Sequence, residues 1–180
     1  ELFQKHKVVK FSANFELYGD ISKRIIRILT ELTPRTEIYS IDEAFLELSQ
    51  LATSDYLAVA RILRDRIWNE VGIPVSIGIA NSKTLAKLAS EHAKTNLECA
   101  GIADLSGQAN PEILSSTPIE KIWGVGYRLG PKLRSEGLAT ARDLANLSTK
   151  RARQLMGVRG EQMVRELNNQ TCFQFKPLGA

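Results

Sequence analysis

The chain has 180 residues, a net charge of +4, 43% hydrophobic and 24% charged residues. That supplies a core for one large domain or two small ones, and no apolar run reaches the roughly 18 residues of a membrane span. Two distant cysteines, Cys99 and Cys172, are no disulfide framework and fit a reducing compartment, while His6 and His92 lack partners at zinc spacing. The N-terminal ELFQKHKVVKF lacks an initiator Met and the pattern of a secretory signal, so the chain reads as a piece of a longer protein.

In chain order, residues 7–12 predict a strand. Asn14 caps a helix to about Leu32, with Tyr18, Ile21, Ile25, Ile28, Leu29 and Leu32 as its apolar stripe. Pro34 marks a turn. Residues 36–39 and 44–48 predict two strands joined at Asp42-Glu43. Ser54 or Asp55 caps a second amphipathic helix that Gly72 ends. Residues 74–80, PVSIGIA, predict a short buried strand, Ser82 caps a third helix to about Ala93, and residues 100–105 predict an edge strand. The mixture predicts an α+β layer, one sheet covered by helices.

The character changes after residue 116. A boundary is expected at 106–116, a stretch containing Gly107, Asn110 and Pro111. Thr117-Pro118-Ile119-Glu120 carries a helix-start signal, and short Gly-broken helices follow to residue 169. Residues 117–170 hold ten Lys or Arg against five Asp or Glu, whereas 1–116 hold thirteen against fifteen. A basic second half beside a faintly acidic body points to a polyanion such as nucleic acid, or to a well-solvated helical surface. The last ten residues predict an extended exit.

Three motifs carry chemistry. Asp42 and Glu43 lie side by side in YSIDEAFLEL (39–48). Neighbouring strand side chains point to opposite faces, so the backbone must bend there if both acids are to reach one ion. Such a bend offers the hard oxygens that Mg²⁺ takes beside phosphates; the plainer reading is an acidic turn. In GIANSKTLAKL (78–88), Ser82 stands where a P-loop needs Gly and the spacing is one residue short, so that motif is excluded. What remains is a helix start with Lys83, Lys87 and Lys94 on one stripe. Lys83 in the first turn opposes the helix dipole unless an anion joins it; a solvated lysine face is the alternative. In IWGVGYRLGPKL (122–133), Gly124-Val125-Gly126 allows close backbone approach to phosphate, with Arg128, Lys132 and Arg134 following. This is the pattern of a helix-hairpin-helix gripping DNA by its backbone, or of a plain αα-turn. A weaker echo follows at 156–167, with Gly157 and Gly160 between two helices. Trp68 and Trp123 fall on apolar helical positions and predict packing.

In this order the motifs resemble the Y-family of translesion DNA polymerases, most closely its UmuC branch. The residues carrying the likeness are FSANFELYGDIS (11–22), ELTPRTEIYSIDEAFLEL (31–48), GIANSKTLAKLAS (78–90), AGIADLS (100–106) and PIEKIWGVGYRLGPKL (118–133). The resemblance implies part of a polymerase palm at 1–116, an all-α helix-hairpin-helix thumb at 117–170, and a linker at 171–180 toward an absent little finger. It implies that Asp42 binds both of two catalytic Mg²⁺ ions, Glu43 helps bind one, Lys83 contacts the incoming triphosphate, and Gly124, Val125, Gly126, Arg128 and Lys132 hold DNA. The implied activity is error-prone addition of dNTPs to a primer 3′-hydroxyl in DNA damage repair and the SOS response. The implied partners are primed template, a sliding clamp, a UmuD-like subunit and a recombinase filament, in a bacterial cytoplasm at the nucleoid.

The family's first catalytic Asp and its fingers have no counterpart here, so little or no primer extension is expected of these residues alone. Pro131 inside the first thumb helix removes a hydrogen bond. A non-catalytic DNA-binding scaffold of a repair protein is the alternative. A cyclase-like palm is a third reading, against which the basic hairpin half argues.

Overall fold

The computed structural model describes residues 2–107 and 111–179. The elements run α1 (Leu2–Lys5), α2 (Phe15–Leu32), β1 (Thr36–Ile38), β2 (Ala44–Leu46), α3 (Tyr56–Val71), β3 (Ile77–Ala80), α4 (Lys83–Thr95), β4 (Ile102–Leu105), α5 (Pro111–Ser116), α6 (Leu129–Ser135), α7 (Ala141–Ala145) and α8 (Thr149–Leu167). A mixed palm-like layer is thus followed by an all-α region.

The caps act as their chemistry dictates. Asn14 Oδ1 accepts from Leu17 N at 3.0 Å, Asp55 Oδ1 from Ala58 N at 3.0 Å and Ser82 Oγ from Leu85 N at 3.3 Å. Gly72, with φ 76°, ends α3 in the left-handed conformation that glycine adopts freely.

Instead of one sheet there are two ladders. β1 and β2 pair antiparallel with Glu37 opposite Phe45, and β3 and β4 pair parallel with Ile79 opposite Asp104. No ladder joins β2 to β3. Both nevertheless lie on one apolar cluster, in which Ile28, Leu29, Leu63 and Ile67 of α2 and α3 meet Ala44, Leu46 and Ile77. A groove of about 1590 Å³ opens there, with β2 and β3 among its walls.

The larger core crosses the expected boundary. Leu85, Leu88 and Ala89 of α4 and Leu105 of β4 form one cluster with Ile119, Leu133, Leu144 and Leu167. Part of that boundary, residues 108–110, lies outside the described residues, and 111–116 form α5, with Leu114 buried in this core.

Four expectations need correction. Residues 8–14 form no strand and stay exposed; Lys7 adopts φ 50°, which breaks extension, and no described strand pairs with the segment. Thr117 caps nothing: its hydroxyl donates to Ile113 O at 2.7 Å, and Ile119 N is taken by Ala139 O at 2.9 Å in a bridge that leaves only a 3₁₀ turn at Ile119–Lys121. Trp68 is 56% exposed, since Ala60, Leu63 and Ile67 take the inner face of α3 and the next residue turns away by about 100°. The weaker echo is one continuous run, α8, kinked at Gly157 (φ 73°, ψ −163°), with Gly160 inside the helix. Pro131 is the third residue of α6, in the first turn, where its missing N–H costs no helical bond.

Gly78 sets how closely α4 lies on β3: a Cβ there would sit 2.2 Å from Ala86 O and 2.3 Å from Ser90 N. Gly78→Ala is expected to lower stability by about 1–3 kcal/mol through overpacking. Gly19→Ala, mid-helix with nothing within 4 Å of the new carbon, should raise it by roughly 0.5–1 kcal/mol. Thermal unfolding of the two variants measures the contrast.

Candidate active site

The site begins with strand alternation. Ala44 and Leu46 face the α2/α3 cluster, so Glu37 and Phe45 face the other way, toward α4. Between the strands, residues 39–43 form a tight turn in which Tyr39 N and Ser40 N both donate to Glu43 O at 3.0 Å.

The two acids keep separate neighbours around one shared cation. Asp42 Oδ1 accepts from Ser40 Oγ at 2.6 Å. That hydrogen bond, with smaller help from the Tyr18 hydroxyl and the Lys87 charge, holds the Asp42 carboxyl below its ordinary range. The Tyr18 phenol is pushed up, first by desolvation and then by Asp42. Glu43, one residue on, pairs with Lys87 Nζ from α4. Lys87 also lies 5.9 Å from the Tyr39 ring centre. Asp42, Glu43 and Lys87 all line the groove.

Lys83, one turn earlier, has other company. Its ammonium lies 2.5 Å from Glu37 Oε2, donates to Gln174 O at 2.7 Å, and its side chain is only 10% exposed. The anion at the start of α4 belongs to the chain itself: the fully buried Glu166 of α8 accepts from Thr84 N and Thr84 Oγ1, each at 2.8 Å. Thus Lys87, which the sequence set only on a lysine stripe, is the cation beside the acid pair. What singles it out is its place one turn past Lys83, visible only once the hairpin is docked.

Trp123 packs, as expected of an apolar position. Its ring lies 5.3 Å from Tyr39, 5.8 Å from Phe45 and 5.3 Å from Phe173, and its Nε1 donates to Tyr39 Oη at 3.0 Å. Beside it, Gly124 takes φ 92° and Val125 is buried, while Gly126 and Tyr127 are exposed. Arg128 stands in solvent with only a 2.9 Å bond to Tyr127 Oη. Lys132 is committed to Leu155 O at 2.7 Å, near the Gly157 kink. Arg134, Arg151, Arg153 and Arg165 pair with glutamates. Lys150 and Arg159 are exposed without a carboxylate partner among the described residues, and they join Arg128 as cations open to a polyanion. The Gly-Val pattern repeated at 157–158 was the signal for Arg159.

Comparison with known proteins now bears on this arrangement. The profile of the impB/mucB/samB family matches residues 2–91. The chain belongs to the impB/mucB/samB family. It is 40% identical over 179 residues to the protein UmuC of Salmonella typhimurium, covering 98% of this chain and 42% of that protein. It is 35% identical over 156 residues to DNA polymerase IV of Oceanobacillus iheyensis, covering 86% of this chain and 36% of that one. Among solved structures, DinB from Sulfolobus solfataricus superimposes with a TM-score of 0.75 at 22% identity, over 94% of this chain and 50% of that chain. The insertion ternary complex of Dbh DNA polymerase gives 0.74 at 23% identity, over 91% and 47%. This family member therefore spans about two fifths to half the length of these relatives and has their fold.

Asp42 has a depressed folded-state pKa, so its contribution to stability is present above the unfolded value and is lost as pH falls through the folded one. Ser40→Ala removes the largest cause of that depression. The Asp42 carboxyl carbon, followed by NMR, should then titrate at higher pH than in the unaltered chain, and an unchanged titration would contradict the assignment.

Proposed function

We propose that the parent polypeptide is a template-directed, error-tolerant DNA polymerase, and that this chain supplies part of its palm (1–116), its thumb (117–170) and a connecting segment (171–180). The observation that carries this reading is the meeting of Lys87 with Glu43 beside Asp42. An ammonium and two adjacent carboxylates in one open groove suit a substrate that is a polyanion carrying metal ions.

The chemistry of the donors fits Mg²⁺, which prefers carboxylate oxygens shared with phosphates. Among the described residues no three His, Cys, Asp or Glu side chains converge, so these two acids would need further oxygen donors from substrate or from other parts of the parent. Two such ions, when bound, supply Lewis-acid polarisation of the attacking and leaving oxygens. The chain's own residues do the rest. Asp42, already held as the anion by Ser40, is ready to ligate near neutral pH. Glu43 offers a second carboxylate, and Lys87 is placed to neutralise triphosphate oxygens. The groove between β2 and β3 has the form of a vacant strand position, which suits an added strand carrying a third carboxylate from the parent, as the family resemblance implies. Gly124, Val125 and Gly126 present backbone to a DNA phosphate, and Arg128, Lys150 and Arg159 add charge without reading bases; Lys132 acts mainly by holding the hairpin to α8.

Sliding clamp, UmuD-like subunit and recombinase filament are the partners the resemblance adds, with action at a bacterial nucleoid. No helix among the described residues is long and apolar enough to cross a membrane. The second reading, a non-catalytic DNA-binding scaffold, draws on the incomplete carboxylate set.

In the parent polypeptide, Asp42→Asn and Glu43→Gln should each reduce Mg²⁺-dependent extension of a primed template by at least about a hundredfold, on the order of losing one transition-state charge contact. Lys87→Met should raise the KM for dNTP. Undiminished extension by Asp42→Asn would leave the scaffold reading standing. For the thumb, Arg128→Glu should weaken duplex binding equally on all sequences and flatten the dependence of log K on log salt by about 1.

A further inference from the structure

Residues 171–178 have no regular secondary structure, yet nearly every turn of them is tied down. At one end, Cys172 N and Phe173 N donate to Glu166 Oε1 at 3.0 and 2.8 Å, and Thr171 Oγ1 donates to Asn81 O at 2.9 Å. At the other, Lys176 N donates to Glu37 Oε2 at 2.6 Å and Leu178 N to Thr36 O at 2.9 Å, extending the outer edge of β1. In the middle, Lys83 donates to Gln174 O. Its ammonium lies between the Phe45 and Phe175 rings, 5.1 and 5.5 Å from their centres. Residues 171–175 form part of the wall of the groove that holds Asp42, Glu43 and Lys87. Phe173 in turn packs on Trp123, which is bonded to Tyr39 at the root of the acidic turn.

We propose that Lys83 and Glu37 are a positioning pair that clamps residues 171–178 as a strap beside the acidic hairpin. The strap fixes one wall of the groove and, through Phe173 and Trp123, the Tyr39 end of the turn. Calling the groove a nucleotide site rests on the functional reading above; the clamp itself does not. The two lysines of one helix stripe then divide the work: Lys87 faces the open acids and is free to exchange partners, whereas Lys83 is consumed in a nearly buried pair. At 10% and 13% side-chain exposure, removing either partner strands the other charge away from water, so the clamp opens as a unit.

The test uses the 180-residue chain without metal or nucleotide, so it stands or falls apart from the polymerase reading. Amide exchange by NMR follows Lys176 and Leu178, and a Trp68→Phe background isolates Trp123 emission. Lys83→Met should speed exchange at Lys176 and Leu178 at least tenfold and shift Trp123 emission to the red. Lys83→Arg should keep both signals close to those of the parent background, and Lys87→Met should leave both unchanged. Glu37→Gln, which keeps an acceptor but removes the charge, should also speed exchange at Lys176, and it serves if Lys83→Met does not fold. Protection retained in both Lys83→Met and Glu37→Gln, or lost equally in Lys87→Met, would overturn the clamp.

Discussion

Glu166 is a carboxylate with no solvent exposure, and the placement of everything near the acid pair depends on it. Burying such a charge costs several kcal/mol unless donors surround it. It receives Thr84 N, Thr84 Oγ1, Cys172 N and Phe173 N, and its own backbone oxygen accepts from Ser82 Oγ at 2.9 Å. One side chain on α8 thereby fastens the start of α4 and the beginning of the exit segment. With that end of α4 fixed and Gly78 allowing close contact beneath it, Lys87 emerges one turn along, where the hairpin presents Glu43.

The same economy links the second half to the acidic turn. Trp123 sits immediately before the Gly124-Val125-Gly126 hairpin, yet its ring and its N–H belong to the Tyr39–Phe45–Phe173 cluster. A hairpin suited to a phosphate backbone and a turn suited to a metal-bound triphosphate therefore share one aromatic joint. The larger core runs through both halves, so the two cannot separate without exposing Leu85, Ile119 and Leu167 together. A fixed spacing between backbone grip and chemistry follows from that continuity.

Local chemistry was readable in the sequence wherever it was self-contained. The Asn14, Asp55 and Ser82 caps, the Gly72 stop and the Asp42-Glu43 turn depend on residues a few positions apart, and they formed as their types dictate. Long-range partners were not readable. An anion at the α4 start was expected, but nothing near Lys83 in sequence pointed to Glu37, 46 positions before it, or to Glu166, 82 positions beyond Thr84. Residues 7–12 have strand composition, but composition cannot supply a neighbouring strand to bond with. Thr117 has capping chemistry, but a bridge to Thr140 took the backbone instead. The vacant strand position between β2 and β3 was likewise invisible, because sequence order does not say which edges remain open.

The central claim is that Asp42 and Glu43 share one cation site beside Lys87. Mn²⁺, a paramagnetic stand-in for Mg²⁺, can be titrated into the chain with a dNTP while amide signals are followed by NMR. The account predicts selective broadening at residues 40–43, with a weaker effect around Lys87, and its loss in Asp42→Asn. Broadening spread over scattered surface carboxylates, with residues 40–43 spared, would contradict it.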